Sequence, residues 1–303
     1  MPTFLHLLSN DETPRINETQ HYAVILGASP SKGARSPLLW NSAFKALNIQ
    51  ARMHPFDVDA HNLGKIVESL KTDSSFIGGA VTTPHKEAIL PFLDSVEEPA
   101  RRIGAVNALY RKGTDLIGTN TDGAGSLISL ERHAGSTNGK RVLLLGLGGA
   151  GKAVGAYLAQ AIGPEGKLTV SNRTFDSAVA FQSIHQDACP IDVIPWPVDA
   201  QAIKDADIIV HTTSVGFEAN GSQDSSPLQE SAINAISPSN FVFDIVYQPE
   251  QSRLLTQAIQ QGAQTLNGRE MNLEQAVIAF ERALGGIGLS INRERVVTVM
   301  KSV

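Results

Sequence analysis

The first sustained apolar run, His21-Tyr22-Ala23-Val24-Ile25-Leu26, follows about twenty residues that read as polar, and Gly27 closes it. A continuous apolar stretch running into Ser, Pro, Lys and Gly predicts a buried strand entering a loop. From Pro37 to Leu47, the apolar residues Leu38, Leu39, Phe44 and Leu47 recur at helical spacing. Strands are expected at 52–57 and 76–82, with a helix near 60–71 between them. A second series begins at Arg141. It has a strand at 142–145, the segment Gly146-Leu147-Gly148-Gly149-Ala150-Gly151, and a small-residue helix to about Ala161. A strand at 168–171 follows and ends at Asn172-Arg173-Thr174, with further strands at 208–211 and 241–246. Helices are expected from Met271 to about Leu284 and over the last residues. This alternation of strand and helix predicts an α/β fold with largely parallel sheets.

A chain of 303 residues accommodates two domains. The net charge of −5, with no Lys/Arg stripe, argues against nucleic-acid binding. No apolar run reaches the ~18–20 residues of a membrane span, and the N-terminus lacks the layout of a signal peptide. Cys189 is the one cysteine, so no internal disulfide is expected, and no Cys/His cluster has metal-ligand spacing. The expectation is a cytoplasmic enzyme without a metal. An anionic small substrate would need local positive charge, for which Lys32, Arg35, Lys86 and Arg173 are candidates.

Gly146, Gly148 and Gly151 fit G-x-G-x-x-G between a predicted strand and helix. Missing side chains let the backbone turn tightly and approach a pyrophosphate at a helix N-terminus. At the end of the next strand, where an acidic residue would bind a ribose 2′-hydroxyl, the chain has Asn172-Arg173-Thr174. A guanidinium with two small polar side chains suits a 2′-phosphate, so NADP is favoured over NAD. Asp176 and the lack of a second basic residue at Ser177 keep NAD open.

Taken alone, Lys86 after Pro84 and His85 is an ordinary solvated loop charge, and Asn120-Thr121-Asp122-Gly123 is ordinary turn chemistry. As an ordered set, the motifs are more specific. Val81-Thr82-Thr83-Pro84-His85-Lys86, Gly104-Ala105-Val106-Asn107 and Asn120-Thr121-Asp122-Gly123 precede the glycine loop and Asn172-Arg173-Thr174. Asp244-Ile245-Val246-Tyr247-Gln248-Pro249 and Gly268-x-x-Met271-x-x-x-Gln275-Ala276 follow them. This set resembles the shikimate/quinate dehydrogenase family over nearly the whole chain. The resemblance implies a substrate domain of residues 1–122 plus 268–303 around a Rossmann-type NADP domain of 123–267, with the active site in the cleft. It implies Lys86 and Asp122 as the catalytic pair, with Thr82, Asn107, Tyr247 and Gln275 contacting substrate. Gly146, Gly148, Gly149, Ala150, Gly151, Asn172, Arg173, Thr174, Thr212, Thr213, Val246, Gly268 and Met271 would contact the cofactor. The reaction implied is the NADP-dependent interconversion of 3-dehydroshikimate and shikimate, a carboxylated cyclohexane, within aromatic amino acid biosynthesis, by a monomer or homodimer.

Departures from the family pattern gather at the carboxylate end. In place of His-Ser-x-Ser-Pro, the chain has Gly33-Ala34-Arg35-Ser36-Pro37, so Ser36 matches the second serine and Ala34 replaces the first. Arg35 is the expected compensating partner for a carboxylate, with Ser29 and Ser31 as further donors. Ala80 and Ala108 stand where Asn and Thr are expected, and His211 begins a loop that resembles Asn-Thr-Thr-x-x-Gly. His211 is expected to be a packed or hydrogen-bonded loop residue instead of a base. The alternatives are a dehydrogenase for quinate or an amino-substituted analogue, a lyase or dehydratase acting on the same ring, or a non-catalytic NADP-binding regulator.

Overall fold

In the computed structural model, which describes residues 3–17, 20–218 and 221–303, the run before Gly27 is β1 (His21–Gly27), buried at every position after the first. Contacts divide the chain into two units, Met1–Thr121 with Leu273–Val303, and Asp122–Asn272.

In the first unit, β1 is joined by β2 (Ala51–Asp57), β3 (Phe76–Val81), β4 (Ser95–Val96), β5 (Ala108–Lys112) and β6 (Asp115–Thr119). Its helices are α1 (Ser36–Ala46), α2 (Leu63–Thr72), α3 (His85–Ala88) and α4 (Glu98–Ile103). The sheet order is β2-β1-β3-β5-β6-β4. β1 runs parallel to β2 and β3, but β5 is antiparallel to both β3 and β6. β4 is parallel to β6, so the sheet is parallel-rich, as strand–helix alternation predicted, with β5 the one strand that runs against its neighbours. The two-residue alternation of a strand sends Tyr22, Val24 and Leu26 to one face, with Phe56 and α2 residues such as Ile66 and Leu70. Phe4, Leu5 and Ile16 join that core, so the N-terminal stretch that reads as polar contributes three buried apolar side chains.

The second unit contains β7 (Arg141–Leu145), β8 (Lys167–Ser171), β9 (Ile191–Ile194), β10 (Ile208–His211), β11 (Phe241–Asp244) and β12 (Gln264–Leu266). Its helices are α5 (Asp122–Ala134), α6 (Gly149–Ile162), α7 (Phe175–His185), α8 (Ala200–Lys204), α9 (Glu230–Ile233) and α10 (Arg253–Gln260). All pairings in the order β12-β11-β10-β7-β8-β9 are parallel. Strand order reverses between β7 and β10, which makes their C-terminal ends the topological switch point, where open α/β sheets bind ligands. β11 stops at Asp244, two residues short of the expected end, because Asp244 turns its carboxylate onto the Val246 N–H at 3.0 Å.

The chain ends in α11 (Arg269–Gly286) and α12 (Arg293–Lys301). Val277, Phe280, Val296 and Met300 pack with Ala23, Ile25, Trp40, Phe44 and Met53 on the other face of the first sheet. The Phe280 ring lies 5.1 Å from Trp40 and 5.0 Å from Phe44.

Candidate active site

In the first unit, the chain leaves β3 at Val81 and turns into α3, so Lys86 sits on a short helical turn instead of an open loop. The backbone around it is held closely. Thr82 N–H donates to the Leu26 carbonyl at 2.8 Å, and His85 N–H donates to the Thr82 carbonyl at 2.9 Å. The His85 side chain is 1% exposed, and its Nε2 donates to the Val58 carbonyl at 2.7 Å. Val106 N–H donates to the Lys86 carbonyl at 2.7 Å, and Val81 N–H donates to the Asn107 carbonyl at 2.7 Å. These bonds couple the positions of Lys86 and Asn107 while leaving Lys86 half-buried.

Asn107 is buried and uses both ends of its amide. Its Nδ2 donates to Thr121 Oγ1 at 3.0 Å and Gln275 Oε1 at 3.2 Å, while its Oδ1 accepts the Thr121 N–H at 2.7 Å. Thr121 Oγ1 in turn donates to the Gln275 carbonyl at 3.0 Å. Three side chains from β5, β6 and α11 regions thus converge, and Thr121 was not singled out from the sequence. Its signal was the motif itself, in which Asn120 Nδ2 also binds the Ala105 carbonyl at 2.9 Å.

Ser36 is buried at the start of α1. Arg35 Nη2 donates to the Val303 carbonyl at 3.0 Å, so the structure places this guanidinium on the last residue of the chain. Ala34 packs against the α1–α11–α12 core. Ser31 is held by Asp57, whose Oδ1 accepts its N–H at 2.9 Å and whose Oδ2 accepts its hydroxyl at 2.5 Å. Asp57, at the end of β2, had no motif to mark it.

In the second unit, Asp122 is the first residue of α5 and is buried, where its sequence predicted an ordinary turn. At the switch point, Gly146 has φ +100°, and a Cβ there would lie 2.5 Å from Thr213 Cγ2. A Cβ on Gly151 would lie 2.4 Å from the Gly146 carbonyl oxygen, so only glycine fits this crossing. Gly148, by contrast, faces open space and caps α6, followed by Gly149 and Ala150. Asn172 Oδ1 accepts the Leu147 N–H at 3.0 Å, and its Nδ2 donates to the Thr174 carbonyl at 2.9 Å, which ties the end of β8 to the turn. Arg173 and Thr174 are exposed. A narrow glycine turn, a helix start without acidic residues and an arginine at the end of β8 fit a phosphorylated dinucleotide.

The same end of the sheet carries the remaining candidates. Thr212 Oγ1 lies 2.8 Å from the Gly146 carbonyl and 3.0 Å from that of Leu145. Gly268 N–H donates to the Val246 carbonyl at 3.0 Å, Met271 is buried, and the Tyr247 ring lies 5.6 Å from Phe217. His211 is the last residue of β10, fully buried and hydrogen-bonded to Asp244 and Thr213. No helix among the described residues is long and apolar enough to cross a membrane.

Residues 26–109 match the model of the shikimate dehydrogenase substrate binding domain. The shikimate dehydrogenase (NADP(+)) of Bacillus cereus strain G9842 is 36% identical over 271 residues, 88% of this chain and 94% of that protein. Shikimate 5-dehydrogenase from Thermus thermophilus, solved with NADP(H) and shikimate, superposes with a TM-score of 0.78 at 27% identity, covering 93% of this chain and 99% of that one. The 5-ketofructose reductase of a Gluconobacter strain superposes with a TM-score of 0.79 at 28% identity, over 93% of this chain and 98% of that one. With such identity to a dehydrogenase across most of its length, the chain belongs to the shikimate dehydrogenase family.

Proposed function

We propose that this chain is an NADP-dependent oxidoreductase interconverting 3-dehydroshikimate and shikimate. The observation that carries the reading is the buried Asn107–Thr121–Gln275 cluster, tied through the Val106–Lys86 backbone bond to a half-buried lysine. Amides that both donate and accept suit neighbouring hydroxyls, and an ammonium suits the oxygen of a ketone.

When bound, the nicotinamide supplies or takes the hydride. Gly146, Gly148, Gly149, Ala150 and Gly151 would hold its pyrophosphate, and Asn172, Arg173 and Thr174 the 2′-phosphate. Thr212, Thr213, Val246, Gly268 and Met271 would hold the nicotinamide end. As a ketone is reduced, negative charge grows on its oxygen. The Lys86 ammonium stabilises that charge, and a proton passes from Nζ to the oxygen, with the N–H bond breaking as the O–H bond forms. In oxidation Lys86 takes the proton back. Asp122 accepts hydrogen bonds from ring hydroxyls and orients the substrate, while Thr82, Asn107, Tyr247 and Gln275 fix the ring and Ser36 the carboxylate. Arg35, whose Nη2 donates to the Val303 carbonyl, would add a charge-assisted hydrogen bond to that carboxylate. The enzyme works in the cytoplasm as a monomer or homodimer.

The test follows NADPH formation from shikimate, quinate and a ketose-derived polyol, with Lys86→Ala and Arg173→Ala as variants. Shikimate should turn over, and Lys86→Ala should lower kcat by about 10²–10⁴ while NADP still binds. Arg173→Ala should raise KM for NADP and leave that for NAD unchanged. Tight NADP binding without turnover of any of the three would overturn the reading.

A further inference from the structure

Asp244 at the end of β11 is completely buried, and every contact to its carboxylate comes from a donor. Ser252 Oγ donates to Oδ2 at 2.5 Å, and Val246 N–H donates to Oδ1 at 3.0 Å. His211, also completely buried, places Nδ1 2.9 Å from the same Oδ1. A carboxylate can only accept, so Nδ1 carries the proton. The other ring nitrogen, Nε2, is hydrogen-bonded to the Thr213 hydroxyl. Thr213 Oγ1 also accepts the Val215 N–H at 3.2 Å, so the hydrogen bonds run unbroken from Asp244 through His211 and Thr213 to the backbone of the next loop. The other side of Thr213, its Cγ2, bears on Gly146, where even a methyl group would be excluded.

One buried imidazole–carboxylate pair therefore fixes two loops at the switch point, the one after β10 through Thr213 and the one after β11 through Val246. We infer that His211 is a positioning residue for dinucleotide binding, holding Thr213 against the glycine turn. This rests on the reading of the second unit as the NADP site. The length of the side chain matters. An asparagine amide ends where Nδ1 sits, so it can bind Asp244 but stops short of Thr213.

The test uses His211→Asn, Thr213→Val and the double variant in the full chain. Direct titration of NADP by fluorescence is compared with titration of shikimate, alongside amide exchange at Val215 without ligand. Each single variant should weaken NADP affinity by about tenfold, the effect of one net hydrogen bond, and the double variant should lose little more. Shikimate affinity should be unchanged, and Val215 exchange should accelerate in His211→Asn. Should His211→Asn fail to fold, Thr213→Val removes the same hydrogen bond from a half-buried position. NADP affinity unchanged in Thr213→Val, or additive losses in the double variant, would overturn the inference. Failure of the unmodified chain to bind NADP would instead overturn the reading of the second unit.

Discussion

His54 on β2 is buried, and that burial, followed by the charge of Arg52, pulls its imidazole down from 6.5 to about 4. The folded chain therefore keeps the ring neutral through mild acid, while the unfolded chain takes up a proton below about pH 6.5. The stabilisation is complete above that pH and is lost as pH falls towards 4. Urea midpoints should drop across this window, and His54→Gln should flatten the drop; an equally steep fall in the variant would assign it elsewhere. Single residues also mark the limit of reading the sequence. The glycine turn is legible because Gly146 and Gly151 are required by backbone geometry that is local to the motif. The bond from Asn107 to Gln275 has no such local signal, because 168 residues separate them, and in the sequence only the resemblance sets both beside the substrate. Arg35, expected to compensate for the serine that Ala34 replaces, donates through Nη2 to the Val303 carbonyl, a contact 268 residues away that no local pattern announces.

Elements are tied together by a side chain that no motif announced. Arg111 on β5 is buried, and its guanidinium meets the carbonyls that end α2 and begin β3. Nη2 reaches Leu70 at 2.7 Å, Lys71 at 2.9 Å and Asp73 at 2.7 Å, while Nε reaches Phe76 at 2.6 Å. It thereby serves carbonyls that a helix C-terminus leaves unpaired. Arg111→Met would strip them of their donor, and a loss of about 3 kcal/mol in urea unfolding is expected. Lysine at this position, with a single ammonium, should recover only part of it. A loss below about 0.5 kcal/mol, the usual range of surface changes, would show that water replaces the guanidinium. β1 and β7 were legible in sequence as unbroken apolar runs closed by glycine, and α1 by the helical spacing of its apolar residues. The β5–β6 hairpin was not, although Gly113 and Thr114 separate its strands, because each strand has five residues and neither shows a clean two-residue alternation. β4, with two residues, is too short for any period to show.

At the scale of the whole molecule, the two units differ in how the chain supplies them. Asp122–Asn272 is continuous and closes both faces of its sheet with its own helices. The other unit is discontinuous, and one face of its sheet is covered by α11 and α12 from the far end of the chain. Without those helices, Trp40, Phe44 and Met53 lose Phe280, Val277, Val296 and Met300, a deficit comparable with several large-to-small core substitutions of about 3–5 kcal/mol each. That exceeds much of the ~5–15 kcal/mol that a domain has to lose. The chain's two tryptophans make the difference measurable, because Trp40 reports the first unit and Trp196 the second. A fragment of residues 122–272 should unfold cooperatively in urea by Trp196 fluorescence and still bind NADP. A fragment of residues 1–121 should give no cooperative Trp40 transition, and joining residues 273–303 to it through a flexible linker should restore one. A cooperative transition in 1–121 alone would mean that the first sheet is stable without its covering helices, and that the return of the chain serves the position of Gln275 more than the stability of the fold.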